Sequence, residues 1–181
     1  ILTGPGKPSY TMLRDSSVPN EFKFLELKHI IDRTDDDRDV TVTDVNGDGV
    51  LDLAIAVYDG ADKVIFGDPT RAGVFDELQY DFIPGTTTGN SVAVEAADFD
   101  LDPTTPNELV FAVENEDAFI VHGGEITAIS RLTYSSPATD SIYPGTPTGV
   151  AVKKGVGETV DSHVIVFSRN GGANYIVEWT Q

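Results

Sequence analysis

Short runs of apolar residues, separated by loops rich in Gly, Asp, Pro and Thr, set the pattern of this chain. Leu53-Ala54-Ile55-Ala56-Val57 is the clearest run and reads as a buried strand. Leu109-Val110-Phe111-Ala112-Val113 and Val164-Ile165-Val166-Phe167-Ser168 repeat it, starting 56 and then 55 residues further on. A second strand is expected after each, at Lys63-Val64-Ile65-Phe66, Ala118-Phe119-Ile120-Val121 and Asn174-Tyr175-Ile176-Val177. An outer strand follows at Leu78-Gln79-Tyr80-Asp81-Phe82. The turn Ile83-Pro84-Gly85-Thr86-Thr87-Thr88-Gly89 returns as Tyr143-Pro144-Gly145-Thr146-Pro147-Thr148-Gly149. Each turn leads into an inner strand, Val92-Ala93-Val94 or Val150-Ala151-Val152.

Every unit of about 55 residues therefore carries four short strands. Four antiparallel strands per repeated unit is the mark of a β-propeller blade. A blade cannot bury both faces alone, so its neighbours must stack on it. A β-sandwich is the alternative, but it does not require self-similar units. The expected fold is all-β, with residues 1–181 forming one segment of a propeller of four-stranded antiparallel blades. Residues 38–90 and 91–148 form two full blades, and 1–37 and 149–181 form partial ones. Ile1-Leu2-Thr3-Gly4 aligns with the end of a second blade strand, Ser9–Leu13 with a third and Phe22–Leu27 with a fourth. Tyr175 to Gln181 aligns with a third. Open blade faces and strand edges aggregate, so the segment is expected to belong to a larger propeller or to be completed by another subunit.

The loop ahead of the first buried run carries the candidate chemistry. In Asp44-Val45-Asn46-Gly47-Asp48-Gly49-Val50-Leu51-Asp52, side-chain oxygens stand at positions one, three, five and nine, with a glycine at six. Ca²⁺ takes six to eight oxygens at about 2.3–2.6 Å. Alternating Asp and Asn turn several oxygens inward from one tight loop. Gly49 permits the sharp turn that frees the carbonyl of Val50 as a further ligand. A helix-loop-helix calcium hand ends on a glutamate at position twelve, but here that position is Ile55, inside a strand. The expected ligands are Asp44, Asn46, Asp48, Val50 and Asp52, with Ca²⁺ as the cofactor. The alternative is a solvated Asp-Gly turn without metal.

A second loop keeps part of the pattern. Asp98, Asp100 and Asp102 preserve the spacing, but Pro103 stands where the glycine was, and two extra residues precede the closing acid, Glu108. Proline cannot take the positive φ open to glycine. Weak binding, altered geometry or an empty loop are all compatible with that. A third copy, from Val150 to Glu158, has lost the carboxylates and gained Lys153 and Lys154, so no metal is expected there. The acidic run Asp35-Asp36-Asp37 reads as a solvated loop, with an extra cation site as the alternative.

Asp-x-Asn-x-Asp-Gly-x-x-Asp followed by Leu-x-Ile-x-Val, repeated about every 55 residues, resembles the FG-GAP/VCBS-type repeats. Such repeats also form the calcium-binding blades of integrin α-subunit propellers. The resemblance is specific at Asp44–Asp52 and weak elsewhere. It implies a propeller, usually seven-bladed, in extracellular or cell-surface proteins, with calcium in a structural role. Asp44, Asn46, Asp48 and Asp52 match the family's ligand positions, with Val50 at the carbonyl position. Asp98, Asp100 and Asp102 match the first three, while Lys153 and Lys154 depart from the pattern.

Composition narrows the partners. Thirty acidic and 12 basic residues give a net charge of −18, which repels nucleic acid and anionic lipid. No stretch is long and apolar enough for membrane insertion by a helix. With no cysteine, disulfides and thiol nucleophiles are excluded, and calcium is expected to supply the cross-link. Calcium also favours an exterior location, where it is abundant. His29, His122 and His163 are scattered and lack the pairing of a helical zinc motif. They are expected at strand edges. Tyr143, Tyr175 and Trp179 are candidates for a sugar-binding groove, with packing as the simpler reading for the tyrosines. The expected function is a non-catalytic extracellular or cell-surface binding or adhesion module for a protein or carbohydrate ligand, or for further copies of itself. One alternative is the structural subunit of a surface filament. The other is a propeller-based polysaccharide lyase or hydrolase, which requires a convergent pocket of basic residues, His or Tyr with carboxylates.

Overall fold

A computed structural model describes residues 9–14, 24–31, 36–71, 73–86, 89–99, 102, 104–114, 116–132, 147–154, 162–169 and 175–180. Among them every regular element is a strand. In chain order these are β1 (Ser9–Arg14), β2 (Phe24–Ile31), β3 (Asp36–Thr43), β4 (Asp52–Tyr58), β5 (Lys63–Gly67), β6 (Phe75–Phe82) and β7 (Ser91–Ala97). There follow β8 (Glu108–Val113), β9 (Phe119–Val121), β10 (Ile129–Arg131), β11 (Pro147–Lys154), β12 (Ser162–Arg169) and β13 (Tyr175–Thr180). They form four antiparallel sheets. Two have four strands, in the orders β3-β4-β5-β6 and β7-β8-β9-β10. The others are β1-β2 and β11-β12-β13.

The first strands of three sheets, β3, β7 and β11, share one irregularity. Each slips register against its partner near its start, between Asp37 and Asp39, Ser91 and Ala93, and Pro147 and Gly149. A bulge of this kind bends the strand and adds twist. The sheets stack in chain order, with β7 against β3 and β4, and β11 against β7 and β8.

Burial on both faces explains why the central strands are unbroken apolar runs. Residues alternate sides along a strand. On β8, Leu109, Phe111 and Val113 pack with Ala54, Ala56 and Val64 of the preceding sheet. Val110 and Ala112 face the other way and pack with Ile165 and Val150 of the following sheet. On β4, Leu53, Ile55 and Val57 form a third cluster with Ile65 and Phe75. Phe111 is fully buried and stacks on Phe119, with ring centroids 4.9 Å apart. Burying each such side chain contributes about 1.5–3 kcal/mol.

Within the acidic run, Asp36 and Asp37 are not part of a solvated loop. Asp36 and Asp37 open β3, and Asp37 is only 2% exposed. One of its partners is the ammonium of Lys63, 3.1 Å away and equally buried. Burying a carboxylate requires such pairing. Asp35, Tyr143, the turn residues 87–88 and 143–146, and the third loop beyond Lys154 lie outside the described residues, as do the side chains of His29, His163, Lys153, Lys154, Tyr175 and Trp179.

Candidate metal centre

The loop Asp44–Asp52 joins β3 to β4 and is built by its own side chains. Asp44 accepts the backbone N–H of Gly47 on Oδ1 at 2.7 Å and that of Gly49 on Oδ2 at 2.8 Å. Asn46 Oδ1 accepts the N–H of Asp48 at 2.9 Å, and Asp48 Oδ1 accepts that of Val50 at 2.8 Å. Asn46 Nδ2 donates to Asp48 Oδ2 at 3.1 Å. Short acidic and amide side chains satisfy turn N–H groups in this way. The loop is thus wound by the same three residues, Asp44, Asn46 and Asp48, that were expected at its rim.

Asp52 has a different task. It is fully buried, and its two oxygens accept the N–H of Val45 at 2.9 Å and of Gly67 at 2.9 Å. It staples the start of the loop and the end of β5 to the first residue of β4. Burial raises its pKa above the usual carboxylate value. The N–H groups of Gly67 and Val45 pull it down, and the charges of Asp48 and Asp44 add to the rise.

The second loop repeats the staple. Glu108, the first residue of β8, is 3% exposed and accepts the N–H of Phe99 at 2.6 Å. Phe99 follows Asp98 as Val45 follows Asp44, so the two extra residues leave this bond intact. The rim differs. Asp98 Oδ1 is buried without a hydrogen-bond partner. Asp102 is exposed, and its Oδ1 accepts both the N–H and the hydroxyl of Thr104, at 2.9 and 2.5 Å. Asp68 makes the same pair of bonds to Thr70, at 2.8 and 2.6 Å, in a loop with no metal pattern. These bonds lower the pKa of Asp102 and hold that of Asp68 near about 2. The bonds to Thr104 therefore account for this oxygen of Asp102 without a cation. Asp100 lies outside the described residues.

The donor chemistry of the first rim fits a hard cation. Asp44, Asn46 and Asp48 offer only oxygen from one turn, and each oxygen that accepts an N–H keeps a second lone pair. In the second loop the fit rests on the orphaned oxygen of Asp98. Among the described residues no three His, Cys, Asp or Glu side chains stand together as a ready-made metal group.

One more buried acid has no counterpart in the sequence reading. Asp62 is fully buried where two sheets meet. Its Oδ1 accepts the N–H of Val57 at 2.8 Å and its Oδ2 the hydroxyl of Ser91 at 2.7 Å. Its own N–H donates to Thr86 Oγ1 at 3.0 Å. Burial pushes this carboxyl up to about 7, against the pull of Val57, Ser91 and the Lys63 charge. The only signal was an acid just ahead of a buried strand, where the next sheet has Ala118. Elsewhere, a cleft of about 500 Å³ lies between the turn at Pro84–Thr86 and β9–β10, bordered by Phe119, Thr127, Ile129 and Arg131. His122 is exposed, and its ring Nε2 lies 2.8 Å from Ser130 Oγ.

Comparison with family models, with curated proteins and with solved structures finds no match to this chain. The resemblance to calcium-binding repeats rests on the residue pattern.

Proposed function

We propose that this chain is a calcium-stabilised β-propeller segment that serves as a non-catalytic binding or adhesion module outside the cell. The observation that carries the reading is the rim of Asp44, Asn46 and Asp48, wound into one turn by its own backbone, with buried Asp52 behind it. Ca²⁺ supplies charge neutralisation and a cross-link between loop residues. Asp44, Asn46 and Asp48 hold it, with the Val50 carbonyl and Asp52 as the remaining candidate ligands. Asp98 is the candidate anchor of a weaker second site, with Asp100, Asp102 and Glu108 around it.

The propeller reading is supported by sheets of one strand order, stacked in chain order and buried on both faces. The ligand in this reading is a protein or a carbohydrate. The cleft bordered by Phe119, Thr127 and Arg131 combines an aromatic edge, a hydroxyl and a guanidinium, which suits a sugar. Isothermal calorimetry with Ca²⁺ tests the metal. The Asp48→Ala variant loses a binding event, and an unchanged stoichiometry in that variant contradicts the assignment.

A further inference from the structure

The first loop is gripped by the neighbouring sheet. Pro106, near the end of the second loop, lies against Gly47. A Cβ built on Gly47 falls 3.0 Å from Pro106 Cγ, and Gly47 has a φ of +79°, so both space and backbone select glycine there. The turn between β9 and β10 backs Pro106 from the other side. A Cβ on Gly123 falls 1.9 Å from the Pro106 carbonyl oxygen, and one on Gly124 falls 3.7 Å from its Cδ. Pro106 is therefore a wedge between two glycine turns that belong to different sheets.

Two hydrogen bonds cross the same junction. Gly124 N–H donates to the carbonyl of Val45 at 3.0 Å, and Asn107 Nδ2 donates to Thr43 Oγ1 at 3.3 Å. Val45 is thus held on both sides of its α-carbon. Its N–H is tied to Asp52 of its own sheet, and its carbonyl to Gly124 of the next. Asp44 and Asn46, two of the three rim residues, flank Val45 directly.

We propose that Pro106 and the Gly123–Gly124 turn are positioning elements for cation binding in the adjacent sheet's loop, so that loading residues 44–52 with Ca²⁺ also tightens the junction between the two sheets. The proposal rests on the cation reading of that loop. The physical reason is shared ordering. A loop that must be fixed to bind a cation is fixed here partly by the neighbour, and the cation in turn fixes the surface on which the neighbour rests. Coupling of this kind is reciprocal. The factor by which the cation strengthens the junction equals the factor by which the junction strengthens cation binding.

Hydrogen exchange of the full chain, with and without Ca²⁺, tests it. In the wild-type chain Ca²⁺ slows exchange at Gly47 and Gly49, and also at Gly124 by about 5- to 150-fold, the usual range of coupling between sites. Pro106→Ala keeps the protection at Gly47 and Gly49, loses the Ca²⁺-dependent increment at Gly124, and weakens Ca²⁺ binding by the same factor. Asn107→Ala leaves the wedge in place and gives a smaller loss of the same sign, which keeps the test open if the proline variant folds poorly. Wild-type protection confined to 44–52 overturns the coupling while leaving the cation site standing. No Ca²⁺-dependent protection anywhere overturns the cation reading and the coupling with it.

Discussion

The two four-stranded sheets have the same strand order and the same bulged first strand, yet they differ in where they bury charge. The sheet β3–β6 buries Asp37, Asp52, Asp62 and Lys63. In the sheet β7–β10 Glu108 is the buried charge among the described residues. One feature is common. Asp52 and Glu108 occupy the same place in the topology and both tie down the start of their loop. The closing acid is therefore part of the framework in both sheets. What separates the loops is the rim, where one has Asp44, Asn46 and Asp48 wound together and the other has an orphaned Asp98 and an Asp102 engaged in a turn.

The largest expected effect tests the shared staple. Asp52→Ala removes the acceptor of a buried N–H on Val45, which costs about 1–3 kcal/mol, and of a part-buried one on Gly67, which costs less. Glu108→Ala removes one such bond, from the Phe99 N–H, and is expected to cost about half as much on the same basis. Denaturant melts should show both losses in calcium and in chelator alike. A loss at Asp52 that appears only in calcium breaks the comparison, because the two backbone bonds of this acid then contribute nothing without the cation.

The next effect sharpens the contrast between Asp62 and its counterpart Ala118. The Asp62 carboxyl titrates near about 7 in the folded chain and near 3.8 as the ordinary value. The folded state therefore binds the proton more tightly. Its stabilising contribution is complete below pH about 4, declines as pH rises to about 7, and is flat above. At 1.36 kcal/mol per unit the full change is at most about 4 kcal/mol. Stability measured from pH 4 to 8 should fall more steeply in the wild-type chain than in Asp62→Asn, which keeps bonds to Val57 and Ser91. Equal slopes would remove Asp62 from the account.

Calcium removal comes next. A ligand bound only by the folded state adds about 2.7 kcal/mol at a hundredfold excess over Kd. Chelation should lower the melting temperature of the wild-type chain and leave Asp48→Ala unchanged. An identical melt after proven removal of the metal excludes a stabilising role. The smallest effect concerns the second rim. Thr104→Ala removes the hydroxyl's hydrogen bond from an exposed turn, typically about 0.5–1.5 kcal/mol, keeps the bond from its own N–H, and should loosen Asp102 toward other partners. If Ca²⁺ binding then gains a second event, the turn and the cation compete for Asp102.

The strands were legible because apolar runs must be buried, and burial on both faces of β4 and β8 leaves no alternating polar positions. The hydrogen bonds among Asp44, Asn46, Asp48 and the loop backbone join residues close in sequence, so a tight turn there follows from spacing alone. Asp37 was misread because an acidic run ordinarily stays in water, and its partner Lys63 lies in a different strand. Asp102 carries two patterns at once, a spaced carboxylate and an Asp-Pro-Thr turn, and spacing alone does not rank them. The wedge at Pro106 was invisible because Gly47, Gly123 and Gly124 meet it only after two sheets stack.

Anomalous diffraction from crystals of the full chain grown in calcium tests the central claim most directly. The account predicts one strong peak within about 2.3–2.6 Å of oxygens from Asp44, Asn46 and Asp48. A fully ordered loop at 44–52 with no peak beside it, in calcium well above the expected Kd, contradicts the account.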